Sequence, residues 1–331
     1  MSSPSFNPPR FLLNLRGDWE MVKLRRSLSA AGAPQTLNEK LQHKSAFDRR
    51  QILTTFADKI KVRDYVSRTI GEEYLVPTHF AGYDPNEIDW KQLPDEFVVK
   101  VNHGSGGVIL CSFRADPTNR LPPESSREGW TRHSVHPSAF EPPRAKTLIN
   151  RWLSLSYYWY EGCNRIPEWA YRNIRPGVLI EELLDGSNRL HPTDYKFHIF
   201  GGKCEFINVI NRGTDSATGT TRIYSNPMTT LWEPMNFSIN GNPPLADSPE
   251  KPEALTEMLQ VATALAGNED YTRVDLYYTS EKKIKFGEIT NYPGPGNHKY
   301  DPEIMNSLLG QKMNTSFNSG RFIPDTTSGR G

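Results

Sequence analysis

The stretch from residue 97 to residue 110 constrains the fold most, because two short apolar runs enclose a glycine-rich loop. Residues 97–101 are β-branched or aromatic apart from Lys100, which predicts a strand, and residues 108–110 are typical of a returning strand. Between the two runs, three glycines permit positive φ angles, so that successive N–H groups can converge on one anion. A lysine beside such a loop indicates a site for a polyphosphate.

A second hairpin is predicted near the end of the chain. Residues 273–278 alternate in polarity like a strand, and residues 284–289 are typical of its partner. If residues 280–283 form a four-residue loop, Thr279 lies opposite Ile284.

The same register places Asp275 directly opposite Glu288. Like charges on directly opposed residues, about 5 Å apart, destabilise a sheet unless a cation lies between them. Mg²⁺ suits the pair, because it takes a few carboxylate oxygens and completes its shell with water and phosphate. In the alternative, the register is off by one residue and Asp275 pairs with Arg273 or Lys285.

Other charged residues fall on predicted strands. Residues 178–186 form an acidic strand that would be apolar if it were simply buried. Residues 194–200 and 203–211 flank two consecutive glycines, which is a strong hairpin signal. Lys196 lies on the first strand of that hairpin, and Arg212 follows the second.

The remaining segments are mostly helical or irregular. Residues 47–70 show helical spacing, and Pro252 begins a helix that Gly267 ends. Residues 115–143 have no periodicity and are too long for a plain connection, so we expect a disordered insertion or a lid.

Composition excludes several classes of protein. The net charge of +1 gives no reason to expect a nucleic-acid partner, and no apolar run is long enough for a membrane span. Cys111, Cys163 and Cys204 lie far apart, which argues against disulfides or a zinc site and fits a cytoplasmic location.

Taken in order, these segments resemble the ATP-grasp superfamily and, within it, the TupA-like branch named for teichuronopeptide biosynthesis. The matching stretches are residues 58–63, 93–107, 171–184, 194–203, 273–277 and 286–290. The resemblance implies an α+β ATP-grasp fold, in which two α+β lobes with mainly antiparallel sheets clasp a nucleotide cleft. We expect an N-terminal arm at 1–50, a smaller nucleotide-clasping lobe at 51–180 and a larger catalytic lobe at 181–331.

The resemblance also implies ATP and Mg²⁺ as cofactors and assigns residues to them. Lys59 and Lys100 would reach the ATP phosphates. The flexible loop over the phosphates would be His103, Gly104, Ser105, Gly106 and Gly107. The hinge beside the adenine and ribose would be Glu181, Glu182, Leu183 and Leu184. The residues facing the transferring phosphoryl group would be Lys196 and Arg212. The metal ligands would be Asp275, Glu288 and Asn291, whereas Thr290 stands where many members have an asparagine.

The activity implied is a ligase that joins a small-molecule carboxylate to an amine through an acyl phosphate, in cell-surface polymer or secondary-metabolite biosynthesis. Three alternatives stay open: a glycosyltransferase of polysaccharide biosynthesis, a kinase on the same scaffold, and a nucleotide-binding protein without turnover. A metal-dependent glycosyltransferase would be expected to carry Asp-x-Asp, which this sequence lacks. His198 and His298 are candidates for the base that deprotonates the amine, or ordinary histidines. The sequence does not indicate an oligomeric state.

Overall fold

The computed structural model describes residues 9–126, 128–159, 166–184, 192–214 and 221–314. The α-helices in this part of the chain are α1 (Arg10–Ala31), α2 (Leu37–Phe47), α3 (Gln51–Ala57), α4 (Val62–Ile70), α5 (Pro142–Ser154), α6 (Leu255–Ala266) and α7 (Ile304–Lys312). The strands are β1 (Thr78–Gly82), β2 (Phe97–Val101), β3 (Val108–Cys111), β4 (Arg132–Val135), β5 (Val178–Glu182), β6 (Asp194–Phe200), β7 (Lys203–Thr214), β8 (Thr221–Met228), β9 (Ser238–Ile239), β10 (Tyr271–Tyr278), β11 (Ile284–Thr290) and β12 (Tyr300–Asp301). None of the described helices is long and apolar enough to cross a membrane.

The chain forms two compact units. The described residues up to Gly32 belong with Thr78–Glu182, and Ala33–Pro77 belongs with the described residues from Leu183 onward. This division differs from the contiguous one expected from the sequence, because the segment 33–77 packs on the sheet of the second unit. Lys44 of α2, for example, is fully buried and donates to Asp270 and to the carbonyl of Tyr271.

The first unit contains a five-stranded sheet in the order β1-β5-β2-β3-β4, antiparallel except for the β3–β4 pair. Val99 and Val101 face a core that also buries Trp152 of α5, so the alternation of β2 turns Lys100 to the opposite face. In its described residues, the segment 115–143 is not the disordered insertion that was one of its two expected forms. It contributes β4, and its Leu121 is buried in the same core.

The second unit contains an antiparallel sheet in the order β11-β10-β6-β7-β8. The hairpin β6–β7 turns at Gly201 and Gly202, whose φ angles are 54° and 79°, as the sequence predicted. One face of the sheet packs against α3, α4 and α6, and fully buried side chains such as Met258 and Leu265 each stabilise it by about 1.5–3 kcal/mol. The opposite face, on the same strands, carries the polar residues described below.

The register of the hairpin β10–β11 differs from the predicted one at the turn, and a bulge further along the strands compensates for the difference. Thr279 lies opposite Lys283, to whose carbonyl it donates, so the predicted pairing of Thr279 with Ile284 is wrong. The register then shifts at Gly287, which has no partner of its own, and Asp275 does lie opposite Glu288. A β-bulge at Gly287 therefore restores the predicted opposition of the two acids.

Replacing Gly287 with alanine should disturb this bulge. An added Cβ would lie 2.9 Å from the carbonyl oxygen of Asp275, so one strand must shift. We expect the free energy of unfolding, measured with urea, to fall by about 1–3 kcal/mol. Gly213→Ala is the control, because its Cβ would make only an ordinary contact of 3.4 Å with the Tyr224 ring. Equal losses in both variants would contradict a special role for Gly287.

Candidate active site

The polar face of the second sheet gathers charged residues from three neighbouring strands. Asp194 and Lys196 lie two apart on β6, and Arg273 and Asp275 lie two apart on β10, so each pair shares a face. Asp275 lies opposite Lys196 on one side and opposite Glu288 of β11 on the other. The register alone thus aligns three charged residues across three strands.

Arg273 bridges the two opposed acids. Its Nε donates to Oδ1 of Asp275 at 2.6 Å, and its Nη2 donates at 2.7 Å both to Oδ2 of Asp275 and to Oε1 of Glu288. Lys196 also donates to Asp275. Asp275 therefore lies opposite Glu288, as the predicted register required. It also forms an ion pair with Arg273, which the alternative interpretation had expected. Lys285 instead donates to two backbone carbonyls, those of Glu73 and Leu75.

Asp194 is a member of this cluster that the sequence analysis missed. It is buried, accepts a 2.9 Å hydrogen bond from Nη1 of Arg212, and lies 3.6 Å from Nζ of Lys196. It brings together the two cations that were predicted to face a phosphoryl group. The sequence did contain a signal for Asp194, because a residue two positions before Lys196 on a predicted strand lies on the same face of the sheet.

Electrostatics at the cluster follow from its excess of cations. The carboxylates are Asp194, Asp275 and Glu288, and the cations are Lys59, Lys196, Arg212 and Arg273. Burial would raise the pKa of Glu288, but Arg273, Lys59 and Lys196 together hold that pKa below its usual range. Burial raises the pKa of Asp275 more strongly than Arg273 and Lys196 lower it. For Asp194, the pKa is lowered because Lys196 and Arg212 outweigh burial.

Lys59 enters the cluster through its charge. It lies between α3 and α4, in the turn that Asp58 stabilises by accepting from the N–H groups of Ile60 and Lys61. Its charge contributes to the lowered pKa of Glu288. Ion pairs and strand register bring together four of the predicted residues, namely Lys196, Arg212, Asp275 and Glu288.

Two opposed carboxylates fit Mg²⁺ in donor chemistry. Both supply hard oxygen atoms from adjacent strands, as the ion prefers. Among the described residues there is no group of three or more His, Cys, Asp or Glu arranged for a metal. An ion here would therefore take its remaining ligands from phosphate and water, and Asp275 would have to release Arg273 or Lys196.

Asn291, the third predicted metal ligand, has other local contacts. Its side-chain amide donates to the carbonyl of Leu53, and the residue is buried. Thr290, on the same face as Glu288, donates its hydroxyl to Oε1 of that carboxylate. Thr290 rather than Asn291 therefore contacts the carboxylate of Glu288. The role of Asn291 as a metal ligand stays a prediction.

Both candidate bases are strongly desolvated, and His198 lies opposite Arg273 in the sheet. His198 is buried, stacks on Phe206 with a 4.0 Å separation of ring centroids, and shares a 2.8 Å hydrogen bond with the Tyr271 hydroxyl. Burial, followed by the charge of Arg273, lowers the pKa of His198 well below its ordinary value. The same two causes lower the pKa of His298 to about 4. Both imidazoles are neutral at pH 7.

Most of the other predicted nucleotide residues lie in the first unit, and Leu183 and Leu184 belong to the second. Lys100 donates from Nζ to Oε2 of Glu181 at 2.6 Å, and this carboxylate is buried whereas Glu182 is exposed. Leu183 and Leu184 follow β5 and are half-buried. The boundary between the two units falls after Glu182, within the predicted hinge. Residues 185 and 186 of the predicted acidic strand, and Cys163, lie outside the described residues.

The glycine-rich loop adopts the predicted backbone conformation in part. Gly106 and Gly107 have φ angles of 92° and 63°, in the region that favours glycine. The N–H of Gly107, however, donates to the carbonyl of Thr131, so it does not point into an anion site. His103 is buried edge-on to Trp130, and a Cβ at Gly104 would lie 2.8 Å from the same indole.

Comparison with known proteins gives one family match. The model of the TupA-like ATP-grasp family matches residues 39–314. No curated protein matches the sequence.

Several solved structures are similar at low identity. VanG D-Ala:D-Ser ligase from Enterococcus faecalis is 14% identical, with a TM-score of 0.43, over 79% of this chain and 62% of that chain. L-amino acid ligase from Bacillus licheniformis is 13% identical, with a TM-score of 0.41, over 82% and 54%. ATP-grasp ligase PsnB complexed with minimal precursor is 11% identical, with a TM-score of 0.37, over 78% and 61%. This chain thus covers less than two thirds of their length, and similarity at this level does not identify an activity.

Proposed function

This chain belongs to the TupA-like ATP-grasp family, and from that premise we propose that it is an ATP-dependent ligase that joins a carboxylate to an amine. We further assign its product to cell-surface polymer or secondary-metabolite biosynthesis, following the resemblance of the sequence.

The observation that carries the proposal is the cluster on the polar face of the second sheet. Phosphoryl transfer needs little covalent help from a protein and depends on positioning and on neutralising negative charge. Three carboxylates and three cations lie on adjacent strands and are linked by ion pairs, and Lys59 adds a fourth positive charge from the turn between α3 and α4. Together they supply that environment. Lys196 and Arg212, both held by Asp194, are the residues we assign to the transferring phosphoryl group.

Asp275 and Glu288 are the residues that would hold Mg²⁺. When bound, this ion would neutralise charge on the phosphates of ATP. We assign Lys100 and the loop 103–107 of the first unit to phosphate binding. We assign residues 181–184, which span the boundary between the units, to the adenine and ribose.

The proposed reaction has two steps. An oxygen of the substrate carboxylate attacks the γ-phosphorus of ATP, and ADP leaves with the electron pair of the broken P–O bond. The amine nitrogen then attacks the acyl carbon, a C–N bond forms, and orthophosphate leaves as the C–O bond breaks. The amine gives up a proton to water in this second step, so the balanced products are an amide, ADP, orthophosphate and that proton.

Incubation with ATP, Mg²⁺ and pooled amino acids and amines tests the proposal. We expect ADP and orthophosphate in equal amounts, and a product whose mass is that of the two substrates less one water. ADP without orthophosphate would indicate a kinase. Release of UDP from a UDP-sugar, with ATP unchanged, would indicate a glycosyltransferase.

A further inference from the structure

One face of α1 leaves a group of large apolar side chains uncovered. Phe11, Leu12, Leu15, Trp19 and Val22 are each between 40% and 62% exposed. Because a turn takes about 3.6 residues and each residue adds about 1.5 Å, they fall within about 100° of the helix circumference and follow it for about 17 Å. They therefore form one apolar stripe, and such a stripe typically marks a surface at which another body binds.

The opposite face of α1 is packed within the first unit. Met21 is buried, and a Cβ at Gly17 would lie 2.7 Å from the Tyr158 ring. Asp18 accepts two hydrogen bonds of 2.7 Å from the guanidinium group of Arg172. These contacts hold the helix in place and leave the apolar stripe uncovered by the described residues.

The charges on α1 are mainly positive. The cations of the helix are Arg10, Arg16, Lys23, Arg25 and Arg26, and its carboxylates are Asp18 and Glu20. Asp18 is already paired with Arg172. Arg16 and Lys23 lie along one side of the apolar stripe, and Arg26 continues it by one turn beyond its last residue. All three of these cations are exposed, so positive charge borders the stripe.

Lys23 and Trp19 form a contact between this border and the stripe. The Nζ atom of Lys23 lies 3.2 Å from the centroid of the Trp19 ring. The same ammonium group makes a 3.2 Å ion pair with Glu20, which contributes little because both side chains are partly exposed. An indole beside a lysine, with an apolar body and a polar edge, is typical of the headgroup region of a membrane.

A lipid bilayer with anionic headgroups matches both properties of this face. Its apolar chains lie beneath a layer of negative charge, so a helix lying flat on it buries its apolar side chains while the cations at their border meet phosphates. A second copy of this chain matches less well, because a two-fold contact would place the positive border against itself.

We propose that α1 binds the surface of an anionic lipid bilayer, with the apolar stripe buried among the headgroups and Lys23 and Arg26 beside the lipid phosphates. The inference goes beyond the proposed function and does not depend on it.

Vesicle sedimentation with the full chain tests the proposal. One set of vesicles contains phosphatidylcholine alone, and the other contains equal parts phosphatidylcholine and phosphatidylglycerol. We expect the chain to bind the anionic vesicles at least about tenfold more tightly than the neutral ones, and added salt to reduce that preference. No binding to either kind of vesicle, or equal affinity for both, would overturn the proposal.

A matched pair of leucine variants locates the contact. Leu15→Ser should weaken binding to the anionic vesicles about tenfold, because a leucine side chain would no longer be buried in the lipid. Leu231→Ser is the control, since Leu231 is 74% exposed but belongs to the second unit. Both side chains are exposed, so neither change should alter urea unfolding. An equal loss of binding in both variants, or no loss in Leu15→Ser, would contradict the role of the apolar stripe.

Charge variants test the border. Lys23→Gln and Arg26→Gln should each weaken binding to the anionic vesicles about fivefold and leave binding to the neutral vesicles unchanged. Lys91→Gln is the control, because Lys91 is also an exposed lysine of the first unit but is not part of α1. Unchanged binding by both α1 variants would overturn the assignment of an anionic surface.

Tryptophan fluorescence shows whether α1 itself enters the lipid. Trp19 would pass from water into the headgroup region, so the emission of the wild type should shift to shorter wavelength when anionic vesicles are added. Trp19→Phe keeps an aromatic side chain and should still bind the vesicles, but without most of that shift. A full shift in Trp19→Phe would contradict burial of this face.

Sedimentation equilibrium identifies the other occupant. A dimer that Leu15→Ser dissociates, in a chain that does not bind vesicles, would show that a second copy covers the apolar stripe and would overturn the proposal. The ligase can fail or hold separately. Formation of ADP and orthophosphate by a chain that does not bind vesicles would keep the ligase and remove the lipid surface.

Discussion

Glu288→Gln is expected to lower the turnover number by at least about a hundredfold, with little effect on folding. Glutamine keeps the shape of the side chain and can still accept from Thr290 and Arg273, but it removes the charge that would hold Mg²⁺ opposite Asp275. The side chain is 40% exposed, so we expect the free energy of unfolding to change by less than about 1 kcal/mol. Steady-state release of ADP and urea unfolding measure the two quantities.

The effect of pH gives a second readout for Glu288. Its pKa is lower in the folded chain than in the unfolded one, so its charge stabilises the fold above the unfolded pKa. This contribution is lost as the pH falls toward the pKa of Glu288 in the folded chain, and the stability difference between wild type and variant should then disappear.

Glu253→Gln is the control for turnover. It removes a charge from an exposed ion pair with Lys282 and should leave turnover unchanged. Normal turnover in Glu288→Gln would remove the metal assignment.

Lys100→Met is expected to weaken ATP binding by about tenfold or more and also to destabilise the fold. Loss of a charge-assisted hydrogen bond between the Lys100 ammonium group and a phosphate of ATP would account for the lower affinity. The loss of stability has a separate cause, because the buried Glu181 would lose its 2.6 Å ion pair with Lys100. Breaking a buried pair from one side typically costs about 3–5 kcal/mol. Titration of ATP and urea unfolding should show both effects.

A double variant separates these two consequences. Lys100→Met with Glu181→Gln removes both charges of the pair, so most of the stability should return whereas ATP affinity should not. Glu181→Gln alone completes the double-mutant cycle formed by the wild type, the two single variants and the double variant. Lys91→Met, at an exposed lysine, is the matched control. Recovery of wild-type ATP affinity in the double variant would show that Lys100 acts only through Glu181.

The fold class was accessible from the sequence because strand and loop signals are local. Family membership confirms the resemblance, and the two sheets confirm the α+β class with mainly antiparallel pairing. The opposition of Asp275 and Glu288 was predicted correctly from a register that was wrong by one residue at the turn. Polarity alternation could not reveal the compensating bulge, because a single glycine leaves the pattern of the strand almost unchanged.

By itself, the sequence predicted the residues to which we assign the chemistry: the lysines at 59, 100 and 196, the arginine at 212 and the acids at 275 and 288. Only the tertiary structure decided their partners. It placed Arg273 between the two acids, Asp194 between two cations and residues 33–77 with the second sheet. The physical reason is that periodicity reports which face of an element is buried, whereas ion pairs and cavities depend on contacts between residues far apart in the chain.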